Sequence, residues 1–177
     1  RTLQSLGAEI RDIRLPTLGE FGAVNRVILQ SEAWAIHAPW LRERPQDYGK
    51  LARRRLLPGA FYGAGDYVQA QRRRLEMIAA VEAALREVDV LLCASAMDPP
   101  SRLDNPAETE RTYPRQARTP FNVTGHPALA MMAGLSSTGL PLSVQFVGPY
   151  FGEARLYQAA RAWERAADIA EKHPPLA

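Results

Sequence analysis

The chain of 177 residues is long enough for one domain with a hydrophobic core, and its 46% hydrophobic and 23% charged residues are typical of a globular protein. A formal net charge of +3, with 22 basic residues scattered among 19 acidic ones, predicts no nucleic-acid surface. No apolar run approaches the roughly 20 residues of a membrane span, and a single cysteine excludes an intrachain disulfide. We therefore expect a cytoplasmic protein with no membrane partner.

The first third of the chain is predicted to be mainly helical. We expect the tail of a helix that ends near Gly7, since glycine suits a helix C-cap, and then a short strand over 8–15. A helix is predicted over 22–37, because its apolar residues recur at helical spacing, and Pro39 is expected to end it. A shorter helix is predicted over 47–57, closed by the Pro-Gly pair that follows.

The clearest helical pattern covers 66–88. Asp66 is the expected N-cap, with Gln69 completing a capping box. The expected apolar stripe consists of Leu75, Ile78, Val81, Leu85 and Val88. The apolar run 90–94 then predicts a strand buried on both faces, and the segment 98–115, which has no hydrophobic period, predicts an irregular surface excursion.

The most informative stretch is 118–148. A loop is predicted over 119–127, because two prolines and a glycine interrupt regular structure there. Two apolar runs follow, 128–135 and 142–147, and the turn residues between them predict a β-hairpin.

A final helix is predicted over 153–168, followed by a frayed tail from His173. Its expected apolar side consists of Leu156, Ala159, Ala160, Trp163 and Ala167. The order of strand, helices, strand, hairpin and helix predicts an α/β fold with a mixed β-sheet flanked by helices. About four strands are few for such a sheet, so we expect them to be part of a larger one.

Residues that could carry chemistry are sparse. Lys50 and Lys172 are the only lysines, and both are expected in solvent. His126 has no serine or cysteine partner that the sequence can assign, so we favour a histidine that hydrogen-bonds to the loop backbone. His37 lies near two tryptophans, which favours a packing role. Three histidines and one cysteine, none at ligand spacing, predict no metal site, and no glycine-rich phosphate loop is present.

Two motifs carry a resemblance to a known family. They are TPFNVTGHPA (119–128) and GLPLSVQFVGP (139–149), followed by an amphipathic helix. Together they closely resemble the C-terminal third of the amidase signature family, whose members hydrolyse carboxamides with a Ser–Ser–Lys triad. Weaker matches upstream, among them the Val-Asp-Val-Leu-Leu run at 88–92, extend the resemblance over nearly the whole chain.

The resemblance implies a supporting role for this chain. In the family, the nucleophilic serine, the bridging serine and the lysine lie upstream of the region matched here, and this chain contains none of them. The Ser136-Ser137 pair superficially resembles the catalytic loop, but it joins two apolar strands, so a hairpin turn is the favoured interpretation. We therefore expect residues 1–177 to be the C-terminal part of a single amidase domain, inactive alone and requiring no cofactor.

The family's C-terminal region completes the sheet and lines one wall of the substrate pocket. By position, the resemblance assigns that wall to Thr119, Phe121, Asn122 and Gln145; a buried, hydrogen-bonded amide is the structural alternative for Gln145. Where the family often has a Thr-Pro-Thr-like segment, this chain has residues 93–96, Cys-Ala-Ser-Ala, so substrate preference cannot be transferred.

Three functions stay open at this stage. The first is a hydrolase of a small carboxamide, with the N-terminal portion of the same protein as partner and a homodimer left open. The second is the A subunit of a glutamyl-tRNA amidotransferase-like complex; against it, Arg115 and Arg118 stand where those subunits usually carry an acidic residue. An arginine at that place can pair with a substrate carboxylate, although surface arginines are commoner. The third is a non-catalytic module that retains the fold.

Overall fold

The computed structural model describes residues 1–169. In chain order it contains helices α1 (Thr2–Ser5), α2 (Leu18–Glu43), α3 (Lys50–Leu56) and α4 (Ala64–Leu85), strand β1 (Leu91–Ala94), helices α5 (Pro106–Thr112) and α6 (Thr119–Thr124), strands β2 (Ala128–Leu135) and β3 (Pro141–Val147), and helix α7 (Glu153–Ala167). Short 3-10 turns, Pro45–Asp47 and Leu57–Phe61, flank α3. The predicted α/β class is confirmed.

The three strands form one sheet in the order β1-β3-β2, with β3 in the centre and both pairings antiparallel. The predicted hairpin is confirmed as β2 and β3. A bulge in β2 lies beside Gly134, whose φ of 143° favours glycine. The strand predicted over 8–15 was wrong: within the described residues this segment pairs with no strand, and Ile13 and Leu15 pack against the core instead.

The two faces of the sheet pack against different helices. Val147 is fully buried against α2, α4 and α6, in a cluster that includes Phe21, Met77 and Val81. The next residue back along β3, Phe146, points to the opposite face and is fully buried under α7. The expected apolar side of α7 is confirmed there by Leu156, Ala159, Ala160 and Trp163. Alternation along β3 therefore determines which side chains face α6.

Helix α2 is longer than predicted at both ends. It begins at Leu18, because Thr17 Oγ1 accepts the Glu20 N–H at 3.3 Å and the Glu20 carboxylate accepts the Thr17 N–H at 2.8 Å. It also continues through Pro39 to Glu43, so the predicted end at that proline was wrong. Burial of Leu41 beyond the proline compensates for the missing backbone hydrogen bond.

The predicted cap and stripe of α4 need correction. The N-cap is Gly63, and Asp66 lies three residues into the helix, where its Oδ2 accepts the Gly63 N–H at 2.9 Å. Val81 and Leu85 are buried as expected, but Leu75 is 67% exposed and Met77 takes the buried position. The contacts with α2 and α6 therefore bury the side of α4 that carries Val81 and Leu85, with Met77 in place of Leu75.

Four shorter segments also differ from prediction. Strand β1 is buried on one face only, since Leu91 is buried but Leu92 is 43% exposed. The expected surface excursion contains α5, whose N-cap Asn105 accepts the Glu108 N–H at 3.1 Å. The segment 119–127, expected to be a loop, begins with helix α6. In place of the single helix predicted over 47–57, the structure has α3 and the two 3-10 turns that flank it. The tail from His173, and with it Lys172, lies outside the described residues.

Candidate functional site

A cavity of about 450 Å³ lies between α6 and the sheet. The residues that line it come from the end of β1, from α6 and its flanks, and from the two hairpin strands: Ser95, Arg118, Phe121, Asn122, His126, Ala128, Ala130, Ser143 and Gln145. Ala130 pairs with Gln145 across the hairpin, so the cavity floor is the sheet face opposite α7. A larger, open depression of about 600 Å³ is lined by α7 alone, and no other element encloses it among the described residues.

Three of the four residues predicted to form a pocket wall line this cavity. Phe121 is 6% exposed, and it packs into the core from α6. Asn122, the next residue along the helix, is exposed and has its amide available. Thr119, at the start of α6, is not among the lining residues. The short helix therefore presents two adjacent residues to the cavity and turns the third away.

Gln145 is both a lining residue and a structural brace. Its side chain is on the buried strand β3 with only 2% exposure. The Nε2 group donates to the Ala117 carbonyl at 2.9 Å and to the Ala94 carbonyl at 3.1 Å, and it lies 3.3 Å from Cys93 Sγ. One amide thus joins the end of β1 to the segment that enters α6. The hydrogen-bonded amide considered from the sequence is present, and it lies in the cavity wall.

His126 closes one side of the cavity as part of a buried polar cluster. Its Nδ1 lies 2.9 Å from Thr124 Oγ1 and its Nε2 lies 3.1 Å from Glu82 Oε1. The ring stacks on Tyr150 at a centroid distance of 4.3 Å, and the Tyr150 hydroxyl donates to the Thr124 carbonyl. The partners are side chains rather than the loop backbone that we expected. Both ring nitrogens therefore have side-chain partners within the cluster.

Two lining residues were not selected from the sequence, Ser95 and Ser143. Ser95 follows β1 and is 6% exposed, and its N–H donates to the Ser143 carbonyl at 3.2 Å. Ser143 is two residues before Gln145 on β3, so it shares that residue's face of the sheet. Period-two alternation could have identified Ser143, whereas the place of Ser95 depends on how the strands pair.

No serine–lysine pair is brought together in the part of the chain that the structure describes. Lys50 is exposed at the start of α3. Ser136 is in the hairpin turn, as predicted, where its Oγ accepts the Leu140 N–H at 3.0 Å. His37 packs against Trp40 and lies 2.9 Å from the Tyr48 hydroxyl.

The thiol of Cys93 is in β1 beside Gln145. Burial raises its pKa, and the hydrogen bond from Gln145 acts in the opposite direction. Cys93 is therefore a neutral thiol at neutral pH. Across residues 1–169, no group of three or more His, Cys, Asp or Glu side chains is placed to hold a metal ion.

No helix among the described residues has both the length and the apolar character that crossing a membrane requires.

Comparison with known proteins gives consistent matches. The family model described as Amidase matches residues 1–157. The A subunit of glutamyl-tRNA(Gln) amidotransferase from Synechococcus sp. (strain CC9902) is 30% identical over 97% of this chain and 40% of its own length. A putative amidase, AmiD, from Mycobacterium tuberculosis (strain ATCC 25618 / H37Rv) is 32% identical over 82% of this chain and 32% of its own length.

Solved structures match in the same way. A crystal structure of an amidase superimposes with a TM-score of 0.77 at 28% identity, over 93% of this chain and 39% of that one. An allophanate hydrolase from Kluyveromyces lactis has a TM-score of 0.82 at 19% identity, over 94% of this chain and 28% of that one, a likeness of fold. The chain spans about two fifths of the length of the first curated relatives that it matches.

Proposed function

The chain belongs to the amidase signature family, and from that premise we propose that it forms one wall of the substrate pocket of a hydrolase that cleaves a carboxamide C–N bond. In this proposal residues 1–177 are the C-terminal part of a single amidase domain, and the Ser–Ser–Lys triad is in an N-terminal portion of the same protein. The chain completes the sheet and shapes the pocket.

The observation that carries this proposal is the shared cavity of Phe121, Asn122 and Gln145. These residues were assigned to a pocket wall by motif position alone, and they line one cavity of about 450 Å³, a volume suited to a small amide. The wall is also rigid, because Gln145 ties together two of the segments that form it. A rigid wall suits catalysis, since holding a substrate in a reactive geometry lowers the entropic cost of the reaction.

The proposed reaction divides the work between two parts of the protein. The triad serine attacks the amide carbonyl carbon, the C–N bond breaks, and the amine leaves with a proton supplied through the lysine. Water then releases the acyl group as a carboxylate, so that one amide and one water give one carboxylic acid and one amine. Phe121 contributes an apolar surface for the substrate chain, and the Asn122 amide is available to hydrogen-bond with it.

A second candidate is the A subunit of an amidotransferase-like complex, which the 30% identity to such proteins supports. The charge of the segment before α6 opposes it, because Arg115 and Arg118 are there and no acidic residue lies between Arg111 and Phe121. A partner-dependent glutaminase activity would favour this candidate over a simple amide hydrolase. A protein in which the upstream serine and lysine are substituted would instead be the non-catalytic module.

The test is ammonia release from small amides by the full-length protein, meaning this chain together with its N-terminal portion. Asn122→Ala is expected to raise KM about fivefold, the effect of one lost hydrogen bond. The matched control is Gln158→Ala, which removes an exposed amide from α7 outside the cavity. Equal effects of the two variants would contradict the proposed wall.

The 177-residue chain alone is expected to release no ammonia, because it lacks the nucleophile. Hydrolysis by this chain that is lost in Ser136→Ala or Ser137→Ala would overturn the proposal that the triad lies elsewhere.

A further inference from the structure

We propose that Arg118 and Ser95 form a subsite for a carboxylate carried by the substrate, so that the preferred amide is the monoamide of a small dicarboxylic acid. This inference rests on the proposed function, because it assigns a substrate class to the same cavity. Three features support it: the charge of the cavity lining, a buried hydroxyl without a partner, and the backbone contacts that hold the two residues together.

The cavity lining has one permanent charge, and it is positive. Arg118 is the only Lys or Arg among the lining residues, and no Asp or Glu lies among them. Two neighbouring arginines, Arg111 and Arg115, share one carboxylate, because both pair with Asp98 at 3.7 and 3.3 Å. Arg118 makes no ion pair with any residue in 1–169 and is exposed. An anionic ligand therefore meets one free guanidinium and no opposing carboxylate.

Ser95 supplies a second donor. Ser95 is 6% exposed, and its Oγ has no hydrogen-bond partner among the described residues. A buried hydroxyl that lacks a partner is destabilising, so a ligand oxygen that accepted a hydrogen bond from it would remove that cost. A carboxylate oxygen is a strong acceptor for a hydroxyl donor.

The backbone holds the two residues next to each other. The Arg118 N–H donates to the Ser95 carbonyl at 3.2 Å. The amide of Gln145 bonds to the carbonyls of Ala94 and Ala117, which are the residues immediately before Ser95 and Arg118. Gln145 therefore braces both sides of the subsite from β3. A backbone held in this way needs no ordering when a ligand binds, which favours affinity, whereas the exposed Arg118 side chain loses rotamer freedom.

The chemistry of the two donors indicates a carboxylate. Guanidinium groups bind carboxylates through two parallel N–H···O bonds, and a hydroxyl can donate a further bond to either oxygen. Because the guanidinium is exposed to solvent, its contribution belongs at the lower end of the range for charge-assisted bonds, roughly 10-fold in kcat/KM.

The test measures hydrolysis of two amides of equal chain length, glutaramate and valeramide, by the full-length protein. Glutaramate has a carboxylate where valeramide has a methyl group. We expect kcat/KM to be about 10-fold or more higher for glutaramate, and Arg118→Gln to bring the ratio close to one. Arg118→Lys should retain part of the preference, and Ser95→Ala should reduce it by a smaller factor. Arg115→Gln is the matched control, because this arginine pairs with Asp98 outside the cavity, and it should keep the wild-type ratio.

A binding experiment separates this inference from the proposed function. Glutarate, which has no amide to cleave, is titrated into the wild-type protein and into Arg118→Gln, with circular dichroism to verify that each variant is folded. If both amides are hydrolysed and Arg118→Gln does not change the ratio of their kcat/KM values, the subsite is overturned and the amidase function stands. Glutarate binding that depends on Arg118, without hydrolysis of either amide, would support the subsite and overturn the proposed function.

Discussion

Replacing Gln145 by leucine tests whether one buried amide holds the cavity wall together. The change keeps a side chain of similar size on β3 but removes the donor to the Ala94 and Ala117 carbonyls. Each carbonyl that loses its partner costs about 1–3 kcal/mol, so the two together cost about 2–6 kcal/mol. Part of this cost is offset, because leucine is apolar and its position is only 2% exposed. We therefore expect the free energy of unfolding to fall by about 2–4 kcal/mol.

The measurement is urea unfolding of the purified protein, followed by tryptophan fluorescence. With a slope of about 2 kcal/mol per molar urea, the midpoint should fall by roughly 1–2 M. The control is Gln158→Leu, which changes an exposed amide on α7 and should shift stability by less than about 0.5 kcal/mol. A loss below about 1 kcal/mol for Gln145→Leu, or equal losses in both variants, would refute the role of Gln145 as a brace.

Two further predictions concern packing and reactivity. Gly59→Ala should lower the free energy of unfolding by about 3 kcal/mol, because a Cβ there would lie 2.1 Å from the Gln30 backbone oxygen. Gly22→Ala, within α2, should raise the free energy of unfolding by roughly 0.5–1 kcal/mol, because a Cβ there would meet no atom within 4 Å. Thermal unfolding compares the two, and equal shifts would contradict the contact. Cys93 should react with iodoacetamide at pH 8 more slowly in the folded than in the unfolded protein, because burial raises its thiol pKa and lowers the thiolate fraction. Equal rates, followed by mass spectrometry, would show that the thiol is not protected.

The hairpin is the part of the fold that local sequence predicted best. Its two apolar runs and the turn residues between them lie within 20 residues of one another along the chain, so the pairing needs little information from elsewhere. The strand expected over 8–15 failed for the opposite reason, because a strand exists only where a partner pairs with it. The capping box of Thr17 and Glu20 was a readable signal that would have placed the start of α2 correctly.

Part of the cavity lining was predicted from the sequence. Phe121, Asn122 and Gln145 were assigned from motif position and lie at one cavity, while their role in binding a substrate stays a prediction. Thr119 was assigned by the same reasoning, but the turn of α6 carries it away from the lining. Position in a motif locates a segment of the cavity lining, and the local helix decides which of its residues face the cavity.

The sequence by itself determined the long helices α2, α4 and α7, the hairpin and the family, because these depend on hydrophobic periodicity, on turn chemistry and on motifs read along the chain. Only the tertiary structure decided which polar groups meet. Gln145 and Cys93 are 52 residues apart in sequence and 3.3 Å apart in space. Ser95 and Arg118 share a backbone hydrogen bond that no local pattern encodes. Strand pairing and the packing of α6 on the sheet bring these groups together, and both depend on contacts between distant parts of the chain.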